Sequence, residues 1–538
     1  MKLADIFSIF ALLTTLLLGN TAFSTNAQTN CVYTHPSTTW KINGEDHNFQ
    51  PGDTICLEAG KRGPLRIENI HGTAENPITI INDGGQVITD EYDYGIKIAT
   101  SSHVRLTGTG APNHFYGIRS GGTVYVGELS TDIEVDHVET YTASFAGFMI
   151  KTDPNCNPNS WRENFTMTNI SIHDNYAHNM EDGEGFYIGY NTINGVTKMC
   201  DDQELTLYAH FIEGLEVYNN ITYNTGAEGI QVGSAPTDVE IYNNKIQLFG
   251  QRPFANYQNN GLQVGEGTGG SLYNNWIEEG PGNGIVMLGR ADNIVYNNVI
   301  INAGSLGIFA DERGEPEGNG FQFYNNTIIN PGEDGLRIYA ELVDMNHFKN
   351  NIIVNPGSGE YIVKLSDGVP LDESNNLFAA TINEVQFVNP NAHDYHLQTG
   401  SPAVDRGTDT SSFGVTIDFD NQPRPTGESH DIGAFEFIPK LRLSGTSSDQ
   451  LISLQWEIDD TLSTDITWKI ESMSPLDSQP DIVDGLSEAT RSYALNGLTN
   501  YEIYTITLYA TENGVEIYSD TLSLMPTDEQ LYLPIVLK

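Results

Sequence analysis

The chain has 538 residues, with 71 acidic side chains against 25 Lys plus Arg, for a formal charge of −46. That length gives room for about two to four domains. A surface this acidic repels nucleic acid and other polyanions, so a polyanionic partner needs bridging cations or a local basic patch. The same acidity also serves the plain solubility of an exported protein.

In chain order, residues 1–27 carry Lys2, the apolar run "IFSIFALLTTLLLG" and a small-residue exit at Thr25 to Ala27. This reads as a secretory signal peptide cut after Ala27. The run is short for a membrane anchor, and no other segment approaches membrane length. The expected location is therefore extracellular or at the cell surface, with no membrane span. Export permits disulfides, and the four cysteines allow three connectivities. Cys31–Cys56 and Cys156–Cys200 are favoured because each pair is closest in sequence. No CxxC or His/Cys cluster at zinc spacing is present, which argues against structural zinc.

From residue 217 the sequence repeats. "VYNN" at 217 returns as "IYNN" at 241, "LYNN" at 272, "VYNN" at 295, "FYNN" at 323 and, degenerate, "FKNN" at 348, at spacings of 24, 31, 23, 28 and 25 residues. Between these copies runs a Gly-led apolar couplet: "GIQVG" at 229, "GLQVG" at 261, "GIVMLG" at 284, "GIFAD" at 307 and "GLRIY" at 335. Earlier relatives stand at 147 ("GFMIK") and 185 ("GFYIG"). Periods of about 20 to 30 residues indicate a solenoid. The pieces are short and alternate, with no sustained helical period, so each repeat is expected to be one coil of two or three β-strands. Asn tolerates the left-handed conformation and carries both donor and acceptor, so one Asn per coil is expected to bond the coils above and below. A second turn reads "NTG" at 224, "NAG" at 302 and "NPG" at 330 and 355, with Gly expected to supply the unusual dihedrals. The tyrosines 218, 242, 273, 296 and 324 should form a self-stacking outer ridge.

These coils resemble the right-handed parallel β-helix repeats of the pectate-lyase-like superfamily, and "PGDTICLEAGKRGPLRIEN…ENPITI" (51–80) is similar to that group's first coil. The resemblance covers roughly 45 to 400. It implies an all-β fold, a right-handed parallel β-helix over 28–400, followed by a small β-sandwich. It does not imply one chemistry, because this scaffold carries lyases, hydrolases, epimerases and adhesins. "SPAVDRGTDT" at 401 and "IDFDNQPRPTGESHDIGAFEF" at 417 look like a closing segment, expected at 401–439 as a cap over the last coil's open edge. Residues 440–526, with Trp456, Leu498 and Tyr504, resemble a fibronectin type III sandwich, although Asn500 stands where that family often has Pro. Residues 527–538 are a tail, read as a last strand.

In a stack, equivalent residues form columns. The residue after each Gly-apolar pair gives Met149, Tyr187, Gln231, Gln263, Val286, Phe309 and Arg337, expected to face outward. The residue before the Gly gives Ala146, Glu184, Glu228, Asn260, Asn283, Leu306 and Asp334. Long loops from 151 and 191, each holding a cysteine, and a third excursion at Asp311 to Gly320 wall this region. Tyr187, Gln231, Gln263 and Arg337 are therefore candidate sugar-binding residues. A lyase would need a base, for which Lys151, Arg162, His173 and His178 are candidates. It would also need a group to neutralise a uronate, with calcium as the candidate cofactor on Glu181, Asp182, Glu184 and Glu228. A hydrolase would use Glu184 and Glu228 as a carboxylate pair, provided no coil intervenes between them. The catalytic candidates are thus Lys151, His173, Glu184 and Glu228. The expectation is a monomer that acts on or binds extracellular polysaccharide. The resemblance tips the choice slightly toward a lyase over a glycosidase, with a non-catalytic adhesion protein as the rival.

Overall fold

The computed structural model describes residues 30–527 apart from 90–92, 112, 192, 291, 314–319, 459–464, 475–478 and 513. The expected signal peptide and nearly all of the tail lie outside the described residues. Among those described, no helix is long and apolar enough to cross a membrane. Two compact units divide between Glu436 and Phe437.

The first unit is a right-handed parallel β-solenoid whose coils each present three faces. The first face holds strands such as Ile212–Tyr218 and Thr237–Tyr242, the second Ile221–Tyr223 and Lys245–Gln247, and the third Ile230–Gly233 and Leu262–Val264. The third face is a continuous twelve-stranded parallel sheet from Lys41–Asn43 to Ile362–Lys364. Alternation sends every second side chain inward. In-register columns such as Val217, Ile241, Leu272, Val295, Phe323 and Phe348 fill the interior and are at most 1% exposed.

The turn between the first and second faces shows why the chain spells Tyr-Asn-Asn. The first asparagine takes the left-handed conformation (Asn219 φ 54°, Asn243 φ 55°, Asn274 φ 54°). The second is buried and forms the ladder. Asn220 Nδ2 donates to Asn244 Oδ1 at 3.1 Å, Asn244 to Asn275 at 3.0 Å and Asn275 to Asn298 at 2.9 Å, and the chain continues through Asn326, Asn351 and Asn376. Each also caps a strand-end carbonyl one coil back, as Asn244 does for Val217 O at 2.8 Å. The two roles given to one residue by the sequence are therefore split between neighbours. The tyrosine ridge stacks as expected, with His173, Tyr218, Tyr242, Tyr273 and Tyr296 at 4.6 to 4.9 Å between ring centroids. Tyr324 leaves the ridge to stack on Phe413 at 4.8 Å.

The "NTG/NAG/NPG" turns need correcting. The Asn, not the Gly, takes positive φ (Asn224 55°, Asn302 52°, Asn330 50°, Asn355 50°). Gly is required by close approach: a Cβ at Gly332 would lie 2.2 Å from Gly304 O, and one at Gly357 would lie 2.1 Å from Gly332 O. Coils touch backbone to backbone there.

The 401–436 segment also departs from expectation. It runs along the flank of five coils instead of sitting only on the last one. Asn297, Asn325, Asn350 and Asn375, the left-handed residues of successive turns, donate their side-chain amides to Ile417 O, Asp431 O, Thr408 O and Arg406 O at 2.8 to 2.9 Å. Just ahead of it, Tyr395 lies 5.8 Å from Trp276 on a still earlier coil. The physical reason is that these outward amides form a ready row of donors for an irregular backbone. Arg424, wholly buried, locks the strap through Glu436 at 2.6 Å, Asn297 Oδ1 at 3.1 Å and the Gly433 and Ala434 carbonyls at 2.8 Å.

The second unit is a pair of antiparallel sheets, one of three strands (Leu441–Ser448, Leu451–Ile458, Ser492–Asn496) and one of four (Asp481–Ser487, Ile466–Met473, Tyr504–Glu512, Val515–Leu524). One apolar core joins them around Trp456 and Trp468, 5.6 Å apart. Tyr504 Oη accepts the Thr499 N–H at 3.1 Å.

Two outcomes test this account. Asn244→Asp keeps the volume but turns two donated bonds into acceptor–acceptor contacts. It should destabilise the solenoid by about 3 kcal/mol or more, given about 1–3 kcal/mol for each unmet buried group; a denaturant midpoint equal to that of the unaltered protein would contradict it. Arg424→Met strands the Glu436 carboxylate and should cost about 3–5 kcal/mol. Part of that loss should return in the double variant with Glu436→Leu, measured in the same titration.

Candidate functional site

The third face holds most of the candidate residues. Its outward column pairs in register as Lys41, Arg66, Lys97, Tyr125, Met149, Tyr187, Gln231, Gln263, Val286, Phe309 and Arg337. The column read from the sequence is thus continuous and extends further toward the N-terminus. Phe186–Gly189 pairs directly with Ile230–Gly233, so no coil intervenes between Glu184 and Glu228. The backbone confirms their stacking: Gly185 N–H donates to Glu228 O at 3.0 Å.

Both carboxyls are buried, Glu184 at 1% and Glu228 at 0% exposure. Burial pushes Glu184 up to about 7. Burial, and then the neighbouring Glu184, pushes Glu228 up to about 8. Glu228 Oε1 accepts from Asn260 Nδ2 at 3.2 Å, and that amide also reaches Gln263 Oε1 at 2.9 Å. Asn260 is held in turn by Asn283 Nδ2 at 2.8 Å, and Gln263 donates to Gln231 at 3.1 Å. At the end of this network three buried polar atoms have no partner: Glu184 Oε2, Glu228 Oε2 and Gln231 Nε2. Unmet polar atoms at this density are rare in a folded interior and mark a place where a proton, water or ligand group belongs.

Lys151 sits beside the pair. Its ammonium lies 3.0 Å from Asp153 and 4.7 and 4.8 Å from the rings of Tyr187 and Tyr190, and Tyr190 Oη donates to Asp153 at 3.0 Å. A second cluster of the same kind lies toward the N-terminus. There Lys97 stands 5.0 and 4.6 Å from the rings of Tyr94 and Tyr125 and 2.6 Å from Glu128. A cleft of about 390 Å³ opens here, lined by Tyr94, Lys97, Tyr125, Glu128, Asp153 and Asn155.

The wall of the cleft is the first long loop. Cys156 and Cys200 are bonded, tying it to a hairpin formed by Val196–Cys200 and Gln203–Leu207; Cys31 and Cys56 form the other expected disulfide. His210, pushed down to about 4 by burial, accepts the Thr152 N–H at 2.9 Å as a neutral ring and anchors the loop base. Arg162 packs over Phe211 at 4.2 Å and donates to Ala209 O, which makes it part of that anchor. The loop Phe249–Asn260, which the sequence reading passed over, reaches back across two coils. Gly250, Gln251 and Arg252 donate backbone N–H groups to Ala227, Thr225 and Gly226, and Phe254 meets Phe145 at 5.5 Å. It lies over the turn that leads into Glu228. Its signal was the 31-residue spacing, the longest in the repeat.

Other candidates fall elsewhere. His173 is on the first face, 2.7 Å from Asp174 and 3.2 Å from Glu134 and stacked on Tyr218; the structure does not bring it to Lys151 or Glu184. His178 is on the second face, 3.0 Å from Glu139. Glu181 and Asp182 are exposed, and among the described residues they form no ligand group with Glu184 and Glu228. Gln231 and Gln263, expected to face solvent, are covered, at 1% and 6% exposure. Arg337 is engaged by Asp334 at 2.6 Å and Glu333 at 3.1 Å. Of the Asp311 to Gly320 excursion, residues 314–319 lie outside the described residues.

A family model described as right handed beta helix region matches residues 239–378. No curated protein matches. The first unit thus has the right-handed parallel β-helix fold. Similar solved structures include a PL6 family polysaccharide lyase from Pseudopedobacter saltans, at 12% identity and TM-score 0.34, covering 63% of this chain and 92% of that one. A double mutant of a periplasmic alginate epimerase is similar at 13% identity and TM-score 0.28, covering 64% and 85%. An alginate lyase from Paenibacillus sp. str. FPU-7 is similar at 13% identity and TM-score 0.27, covering 65% and 96%. Likeness at this level says nothing of the reaction, which is argued from the side chains.

The raised carboxyls have a consequence for stability. A group whose folded pKa lies above its unfolded value favours the native state fully below about pH 4.5, and that contribution is lost as pH rises through the folded value. The stability of the first unit should therefore fall between about pH 5 and 8, by up to about 1.4 kcal/mol per pH unit for each carboxyl, and its thermal midpoint with it. In the double variant Glu184→Gln/Glu228→Gln the fall should flatten. An unchanged pH profile in that variant would show that the pair is not the source.

Proposed function

We propose that the protein is an exported carbohydrate-active β-helix that takes a polysaccharide chain along the third face and cleaves a glycosidic bond by acid–base chemistry. The observation that carries this reading is the stacked pair Glu184–Glu228, held near neutral pKa with one unpartnered oxygen on each carboxyl. A carboxyl that keeps its proton at neutral pH is a proton donor for a leaving sugar oxygen, and its ionised neighbour is a base or nucleophile. Tyr187, Tyr190 and Tyr94 offer rings for sugar stacking on the approach to the pair, with Tyr125 buried edge-on against Tyr94. The two disulfides suit an oxidising compartment.

Two carboxyls on adjacent coils suit hydrolysis, one as acid and one as base or nucleophile, whereas elimination also needs a cation to hold a uronate, and the nearby Lys151 is engaged by Asp153. Substrate reaches the pair when Phe249–Asn260 lifts from the 225–227 turn. Binding without cleavage is the second reading, favoured by the backbone hydrogen bonds that hold that loop down.

A polysaccharide panel, read for new reducing ends and for 4,5-unsaturated ends, tests the proposal. Reducing ends without unsaturation are expected. Glu228→Gln and Glu184→Gln should each lower the rate by about 10² to 10⁴, the usual contribution of a general acid or base. Unsaturated products, or full activity in both variants, would overturn the assignment.

A further inference from the structure

We infer that the polymer this groove accepts is uncharged: a neutral polysaccharide read by ring stacking and hydrogen bonding, and not a polyuronate. The inference rests on the groove reading above and names its substrate class.

At first sight the third face looks made for an anion. The chain has only 25 Lys plus Arg, yet Lys41, Arg66 and Lys97 stand in register on three successive strands, with Lys151 two residues beyond Met149 of the same column. Each of the four is already matched. Lys41 pairs with Glu68; Arg66 pairs with Glu68 at 2.5 Å and Glu128 at 2.6 Å; Lys97 pairs with Glu128 at 2.6 Å; Lys151 pairs with Asp153 at 3.0 Å. Glu68 and Glu128 stay ionised. Hydrogen bonds from Lys41 and Arg66 hold Glu68 below its ordinary value. Burial pushes Glu128 upward, but Arg66 and Lys97 outweigh it and bring it down. Four cations thus face three carboxylates.

The geometry removes what remains. An ammonium has three donors, and on Lys97 and Lys151 one points to a carboxylate while two tyrosine faces flank the others within 5.0 Å. A uronate would have to displace Glu128 or Asp153 and leave that carboxylate beside its own, in the field of a chain of charge −46. Beyond Tyr187 the column turns to amides, Gln231 and Gln263, and its next cation, Arg337, is held by Asp334 and Glu333. The lysines therefore act as fixed supports for the tyrosine rings, and the partly exposed rings of Tyr94, Tyr187 and Tyr190 meet the sugar.

Affinity electrophoresis of the full chain through gels containing neutral polymers (β-glucan, mannan, xylan, galactan) or polyuronates (alginate, polygalacturonate) tests this. Runs at about 20 mM and about 300 mM salt separate charge attraction from stacking. A neutral polymer should retard the protein equally at both salts. Tyr94→Ala and Tyr190→Ala, both at partly exposed positions, should each weaken retardation about tenfold with circular dichroism unchanged. Salt-sensitive retardation by a polyuronate alone would overturn the inference and leave the groove reading standing. No retardation by any polymer, or retardation that ignores both tyrosine variants, would remove the groove reading and the inference with it.

Discussion

The structure depends on the satisfaction of backbone polar groups where the chain turns inside its own stack. A parallel coil must bend between its first and second faces, and the bend buries amide and carbonyl groups that no strand can pair. The asparagine ladder meets this need from within: each side chain caps a carbonyl, accepts an N–H and passes a hydrogen bond to the next coil. Each rung sets the height of the next coil, and the backbone pairing of the third face's own twelve strands holds its register whatever its outward side chains are. That freedom lets its outward column vary from lysine to tyrosine to glutamine while the strands stay aligned.

Much of this was legible in the sequence, and the reasons are specific. Tyr-Asn-Asn recurs because every coil meets the same buried turn, and the Gly-led couplet recurs because every third-face strand starts where coils crowd. Aligning on those marks placed Glu184 beside Glu228 and joined Met149 to Arg337. The early coils were harder to read. "GIKI" at 95 carries the same couplet, but without a Tyr-Asn-Asn before it, so Lys97 and Tyr125 were left out of the column. His173 and Lys151 were both candidate bases by residue type, but three-faced coils send residues about twenty apart to different sides.

What the sequence could not convey was how segments without a repeat lie on the repeat. The Phe249–Asn260 loop and the 401–436 strap have no period of their own, and their positions follow from donors and acceptors that other segments leave open. The loop finds three carbonyls on a turn. The strap finds a row of asparagine amides. Both changes of environment matter at the site, since the loop covers the approach to Glu228 and turns an expected surface carboxylate into an interior one whose proton is retained at neutral pH.

The strap changes the kind of object the solenoid is. A stack held only by contacts between adjacent coils behaves as a one-dimensional array, free to fray from either end one unit at a time. Here a single irregular segment bonds to coils that are not neighbours, from Asn297 to Asn375. Peeling the last coil therefore means releasing Arg424 and the amides beneath it together. The C-terminal half of the stack is bound into one cooperative block, while the coils before Trp276 keep the looser, local logic of a repeat. The cleft beside Lys97 and the Glu184–Glu228 pair lie on the side of that divide where single coils can move.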